Sequence, residues 1–174
     1  PLLKKRGIVR EYLQVILLHS IYKHELGSRL FFTGGTALRF FHNLPRFSED
    51  LDFDTPRLTE RDFKVLLASV KKDLLREGFD VDHSSEQRER LYLAEFNFPR
   101  LMKLYQMTDA RGLDLMIKID IYKPPWKIGY ETKVFSLYGY HLSSLLLDPG
   151  CLFSEKLCAL VHRGRGRDIY DTLF

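Results

Sequence analysis

A mixed α/β fold is what this sequence predicts, and three observations carry it. Helical apolar spacing alternates along the chain with short extended runs, which is the pattern of interleaved helices and strands. The apolar run Leu30–Thr33 ends in Gly34-Gly35, a strand entering a tight turn, and a helical pattern follows at once. The 174 residues are 45% hydrophobic and 13% aromatic, enough to bury a core within one domain.

Each element has its own reason. In residues 8–26, Ile8, Tyr12, Val15, Ile16, His19 and Tyr22 recur mostly at three- and four-residue steps, predicting an amphipathic helix stopped by Gly27. Thr36–His42 reads as a short helix closed by Asn43 and Pro45. Asp50–Asp54 alternates acidic and apolar residues, so a strand there sets its carboxylates on one side and Leu51 and Phe53 on the other. Thr59 is a plausible N-cap for a helix whose stripe is Phe63, Leu66, Leu67, Val70, Leu74 and Leu75, up to Gly78. Strands are expected at Leu91–Phe98 and Leu113–Tyr122, joined by a polar stretch containing Gly112, and a further one at Val134–Leu137. Helical patterns return at Leu152–His162 and from Asp168, separated by Gly164 and Gly166. The expected order is α-β-α-β-α-β-β-β-α. The chain starts without Met and stops at Phe174 while its last helix is still amphipathic, so the natural protein is expected to continue.

Composition excludes several classes. Lys and Arg number 27 against 23 Asp and Glu, a net 27 − 23 = +4, which permits a nucleotide or nucleic-acid partner without arguing for one. No apolar run approaches the roughly 18 residues of a membrane span, and the N-terminus lacks the apolar segment of a secretory signal. Cys151 and Cys158 make neither a disulfide framework nor a zinc pattern, and a reducing cytoplasm is expected. The histidines show no metal-ligand spacing; His83 and His141 read as surface residues, and Trp126, after Pro124-Pro125, as a packing anchor with a lesser chance of stacking on a base.

Three motifs carry chemistry. Gly34-Gly35-Thr36 lets backbone approach a ligand and offers helix N-terminal amides to an anion, though the turn could equally be bare. Asp50 and Asp52, one residue apart on a strand, project to one face about 6–7 Å apart. Carboxylates so placed suit a hard divalent cation, or a solvated strand end beside Arg46 and Arg57. Asp120 points opposite to Ile119 and Ile121 in an otherwise apolar strand, with Lys118 beside it, and is either a salt-bridge partner or a third carboxylate. Three acids can hold two metals for in-line phosphoryl or nucleotidyl transfer.

Strand, Gly-Gly, helix, Asp-apolar-Asp and a later apolar-Asp-apolar strand together resemble the polymerase-β-like nucleotidyltransferase superfamily. The strings Gly34-Gly35-Thr36-Ala37-Leu38 and Arg46-Phe47-Ser48-Glu49-Asp50-Leu51-Asp52-Phe53, with Lys156 and Arg167-Asp168-Ile169-Tyr170-Asp171, are similar to its AbiEii/AbiGii-like branch, the toxins of type IV toxin–antitoxin pairs. The resemblance implies that superfamily's fold, a mixed sheet with flanking helices, as a single domain over 1–174 with helical sequence continuing after it. It implies Mg²⁺ at Asp50, Asp52 and Asp120, nucleotide binding by Gly34, Gly35, Thr36, Arg46, Ser48 and Lys156, and a further functional acid at Asp168, with Asp171 close enough to confuse that assignment. It implies a nucleoside triphosphate donor, an RNA (tRNA) or protein hydroxyl as acceptor, and a cognate antitoxin protein or its operon as partner. By residue type alone Lys156 could be a solvated lysine, Asp168 a helix-start acid, and Arg163, Arg165 and Arg167 either a phosphate grip or a solvated turn. The rival functions are a non-catalytic nucleotide- or RNA-binding module and a phosphotransferase on the same fold.

Overall fold

The computed structural model describes residues 2–105 and 114–174, with side chains from Lys4 onward. Its elements are α1 (Leu2–Lys23), a 3-10 turn (Glu25–Arg29), β1 (Phe31–Thr33), α2 (Gly34–His42), β2 (Leu51–Asp54), α3 (Glu60–Arg76), β3 (Asp82–Arg88), β4 (Leu91–Phe98), α4 (Leu101–Leu104), β5 (Leu115–Tyr122), β6 (Tyr130–Leu137), β7 (Tyr140–Leu147), α5 (Pro149–Arg163) and α6 (Gly166–Leu173). The mixed α/β expectation holds. The strands form one seven-stranded mixed sheet in the order β3-β4-β5-β2-β1-β7-β6.

Two strands exceed expectation. β3, Asp-His-Ser-Ser-Glu-Gln-Arg, has no apolar alternation because it is an almost wholly exposed edge strand. β7 pairs antiparallel with β6 through a turn at Tyr138-Gly139 and parallel with β1 at the other side. The first helix ends at Lys23, not Gly27, because His24 breaks it; the His24 ring accepts from the Leu26 amide and starts the 3-10 turn. Gly34 and Gly35, read as a turn, form the first turn of α2. The expected Gly112 joint and the start at Leu113 lie outside the described residues, and β5 is seen from Leu115.

The sheet buries one face. Leu115, Ile117, Ile119 and Ile121 of β5 alternate inward with Tyr92, Ala94, Phe96 and Phe98 of β4. They share a core with Leu13, Ile16 and Leu17 of α1 and Phe63, Leu66 and Val70 of α3. Fully burying such side chains contributes about 1.5–3 kcal/mol each. Thr59 caps α3 as expected, in a reciprocal capping box with Asp62. By strand parity Asp120 turns to the opposite face, which stays free of that core. A smaller cluster of Phe31, Leu38, Leu44, Leu147 and Leu152 seats α5. Leu157 and Val161 of α5 stand exposed at 40% and 79%, and α5 also packs on α6. Among the described residues no helix is long and apolar enough to cross a membrane.

Candidate active site

The parallel pairing of β2 with β5 sets Leu51 opposite Ile119 and Asp52 opposite Asp120. Neighbouring strands lie about 4.8 Å apart, so two carboxylates distant in sequence share one face across one pair of strands. Asp50 precedes them by one strand repeat. Its carbonyl accepts the Thr36 hydroxyl at 2.6 Å, which ties the acid's backbone to the first turn of α2. Thr36 is thus a buried positioning group and its hydroxyl is already used.

Burial above all, and then the neighbouring acids, push these carboxyls up. Asp52 rises to about 7, through burial and then Asp50 and Asp120, partly offset by Lys156. Asp50 rises through burial and Glu49, and Asp120 through burial and Asp50. Among the described residues, no group of three or more His, Cys, Asp or Glu side chains is placed to hold a metal ion; the strand register sets Asp52 and Asp120 on one face. Carboxylate oxygens are hard donors of the kind a divalent cation such as Mg²⁺ takes. Asp50, Asp52 and Asp120 suit that ion by donor chemistry alone.

The glycine turn stands directly beside them. Gly34 has φ +77°, and a Cβ there would collide with the Asp52 carboxylate; a Cβ on Gly35 would meet Ser48 Oγ at 2.7 Å and Arg46 Nη2 at 3.0 Å. Thr33, at the N-cap of α2, gives its hydroxyl to Glu155 at 2.6 Å and makes no side-chain cap on its own helix. The α2 amides thus carry no side-chain cap, and a helix N-terminus favours an anion.

Cations close the other side. Arg46 donates to Asp171 through both Nε, at 2.8 Å, and Nη2, and Lys156 Nζ reaches the same carboxylate at 3.2 Å. Burial alone would raise the Asp171 carboxyl, but Arg46 and Lys156 outweigh it and hold it below its ordinary value. The Lys156 side chain is only 11% exposed, so it is not a solvated lysine. It approaches the Gly34-Gly35 turn through Asp171 and Arg46. Asp168 is also buried, and accepts from Arg163 at 3.0 Å and from the Arg165 amide at 3.2 Å, starting α6. Its carboxylate is occupied there, whereas Asp171 joins the cation pair.

The three acids, the Gly34-Gly35 turn, Arg46, Ser48, Lys156, Asp168 and Asp171 line a single cavity of about 950 Å³. Three lining residues were not singled out for this site. Asp54 continues the Asp50–Asp52 alternation and is buried with Oδ2 unpartnered; burial and then Glu155 push its carboxyl up to about 8. Glu155 is the residue before Lys156, and with Cys151 makes a four-residue helical step that signals a shared face. Trp126, expected as a packing anchor, is 57% exposed on the cavity wall. His83, expected at the surface, is half-buried and stacks on Phe96 at 5.4 Å.

Residues 15–174 match the family described as nucleotidyl transferase AbiEii toxin, type IV TA system. The chain belongs to this AbiEii family. Two solved structures share this chain's fold. JHP933 from Helicobacter pylori superposes with a TM-score of 0.63 at 20% identity, over 95% of this chain and 64% of that one. A structure described as a candidate nucleotidyltransferase, also from H. pylori, gives 0.63 at 21% identity, over 95% and 65%. This chain thus spans just under two thirds of either. No curated protein matches it.

Proposed function

We propose that this AbiEii-family chain transfers a nucleotide from a nucleoside triphosphate to a hydroxyl on RNA, with tRNA the first candidate, or on protein. The observation that carries the reading is the Asp52–Asp120 register beside the uncapped start of α2. Asp50, Asp52 and Asp120 would hold two Mg²⁺ ions, which when bound neutralise charge at the α-phosphate and ease ionisation of the attacking hydroxyl. The amides at Gly34 and Gly35 receive the β- and γ-phosphates, with Ser48 and Arg46 alongside. Lys156, steered by Asp171, adds positive charge to the same phosphates. Asp120 orients the acceptor hydroxyl and takes its proton; the hydroxyl oxygen bonds to the α-phosphorus as the bond to the bridging oxygen breaks and pyrophosphate leaves. Asp168 acts through Arg163 and the start of α6. By family, a cognate antitoxin would restrain this activity, in the cytoplasm where nucleotide and RNA are found.

The test incubates the chain with total RNA, Mg²⁺ and each nucleotide labelled at the α- or the γ-phosphate. Label from the α-position should appear on RNA or protein, vanish with a chelator, and vanish in Asp52→Ala. Transfer of only the γ-label would make the protein a phosphotransferase. Metal-dependent binding without any transfer would make it a binding module.

A further inference from the structure

The apolar end of the cavity has no task in the chemistry above. It is formed by Leu91, Tyr122, Trp126, Ile128, Leu147 and Cys151. We infer that Trp126, backed by Tyr122, is a stacking platform for a nucleobase; this rests on the nucleotidyl-transfer reading for the site beside it.

Five observations support the inference. The indole is 57% exposed, yet the loop that carries it is fixed at both ends. At one end the Lys123 amide donates to the Arg90 carbonyl at 2.8 Å, and at the other the Asp148 amide donates to the Gly129 carbonyl at 3.0 Å. Pro124-Pro125 stiffens the interval. A large apolar ring is thus held rigidly open to the cavity instead of folding into the core.

Second, Tyr122 lies two residues beyond Asp120 on the same strand face, about 6–7 Å along β5. A ribose bridges a separation of that order between a phosphate at the acids and a base at the ring. Third, the Tyr122 and Trp126 rings lie 6.2 Å apart at 55°, so Tyr122 supports the indole without covering its face. Fourth, about 950 Å³ is at the upper end for small-molecule sites, with room for phosphates at the glycine turn and a base at the aromatic end. Lys123 and Lys127 flank the ring in sequence, the basic-aromatic mixture that suits nucleic acid.

The shared chemistry is a flat base, which either the donor nucleotide or the acceptor strand can supply. Trp126 is the chain's single tryptophan, so its emission reports on that face alone. The full chain is titrated in Mg²⁺ with tripolyphosphate, with each nucleoside triphosphate and with a single-stranded 12-mer oligoribonucleotide, following emission and binding heat together. Quenching by a nucleoside triphosphate assigns the platform to the donor base, and quenching by the oligonucleotide assigns it to the acceptor. Tripolyphosphate should bind without quenching. Trp126→Ala should weaken the quenching ligand about five- to hundredfold and leave tripolyphosphate affinity unchanged, while Trp126→Phe keeps most of the affinity. Nucleotide and oligonucleotide that both bind without an emission change, or unchanged affinity of Trp126→Ala for both, would overturn the platform while nucleotidyl transfer stands. Quenching without any Mg²⁺-dependent transfer would support the platform and remove the transfer reading.

Discussion

Gly34 is conditioned twice, by its own backbone and by the acid facing it. Its φ of +77° would strain any other L-residue by about 1–2 kcal/mol, and a Cβ there would strike the Asp52 carboxylate. Gly34→Ala should therefore lower stability by more than the backbone cost alone. In Asp52→Ala the collision disappears, so adding Gly34→Ala on that background should cost only about 1–2 kcal/mol. Denaturant melts of the two singles and the double measure this; strictly additive losses would mean that Asp52 does not lie against the turn. Lys156 makes a second residue-scale case. Arg46 still grips Asp171 through two nitrogens when Lys156 is gone. Lys156→Met should keep the fold and lose about 1.5–3 kcal/mol of triphosphate affinity, as for a charged hydrogen bond. Calorimetric titration at low salt reads it, and unchanged affinity would remove Lys156 from phosphate binding. Gly34, Asp52 and Asp120 were legible because turn chemistry and strand parity are local rules. Asp171 and Asp168 were not separable in sequence, because only the packing of α6 decides that one carboxylate meets Arg46 and Lys156 while the other meets Arg163.

Among the elements, the β6–β7 hairpin shows where sequence reading stops and why. Two-residue hairpin turns with positive φ favour Asn-Gly, and a strand search keyed to that signal passes over Tyr138-Gly139. Tyr138 nonetheless adopts φ 52°. The conformation is held by contacts distant in sequence. Its hydroxyl donates to Glu11 at 2.9 Å, and its ring meets Tyr12 edge-on at 5.6 Å. Glu11 is buried and also accepts from Arg39, whose guanidinium sits 4.7 Å over the Phe47 ring. The turn, α1, α2 and the loop leading to Asp50 are thereby one connected unit. Tyr138→Phe keeps the ring and removes the bond to a charged acceptor, and should destabilise by about 1.5–3 kcal/mol in thermal or denaturant melts. A variant as stable as the parent would show that the ring contact alone fixes the turn. β3 illustrates the opposite limit, because an exposed edge strand has no buried side to imprint a period on its sequence.

At the scale of the whole molecule, the folded chain concentrates acids whose ionisation it resists, and pH should reveal the cost. The Asp52 carboxyl stands at about 7 against an ordinary 3.8, because burial and then Asp50 and Asp120 oppose its charge; Asp54 stands at about 8 through burial and Glu155. Below pH 4 both folded and unfolded chains keep these protons, so nothing is lost. Between about 4 and 7 for Asp52, and up to about 8 for Asp54, the unfolded chain releases protons that the folded chain retains. Stability from these groups is therefore present at low pH, falls as pH rises through that window, and levels off above it. In chelator, Asp52→Asn should gain melting temperature over the parent at pH 8, clearly less at pH 5, and little or nothing near pH 3. Comparing variant with parent at each pH cancels the other titrating groups. If the acids hold a divalent cation in their ionised form, Mg²⁺ should raise the parent's melting temperature more at pH 8 than at pH 5, and should do so weakly in Asp52→Asn. A parent that is relatively more stable than Asp52→Asn at pH 8 in chelator would mean that Asp52 is a stabilising ion-pair partner, and the metal-holding role would then pass from it.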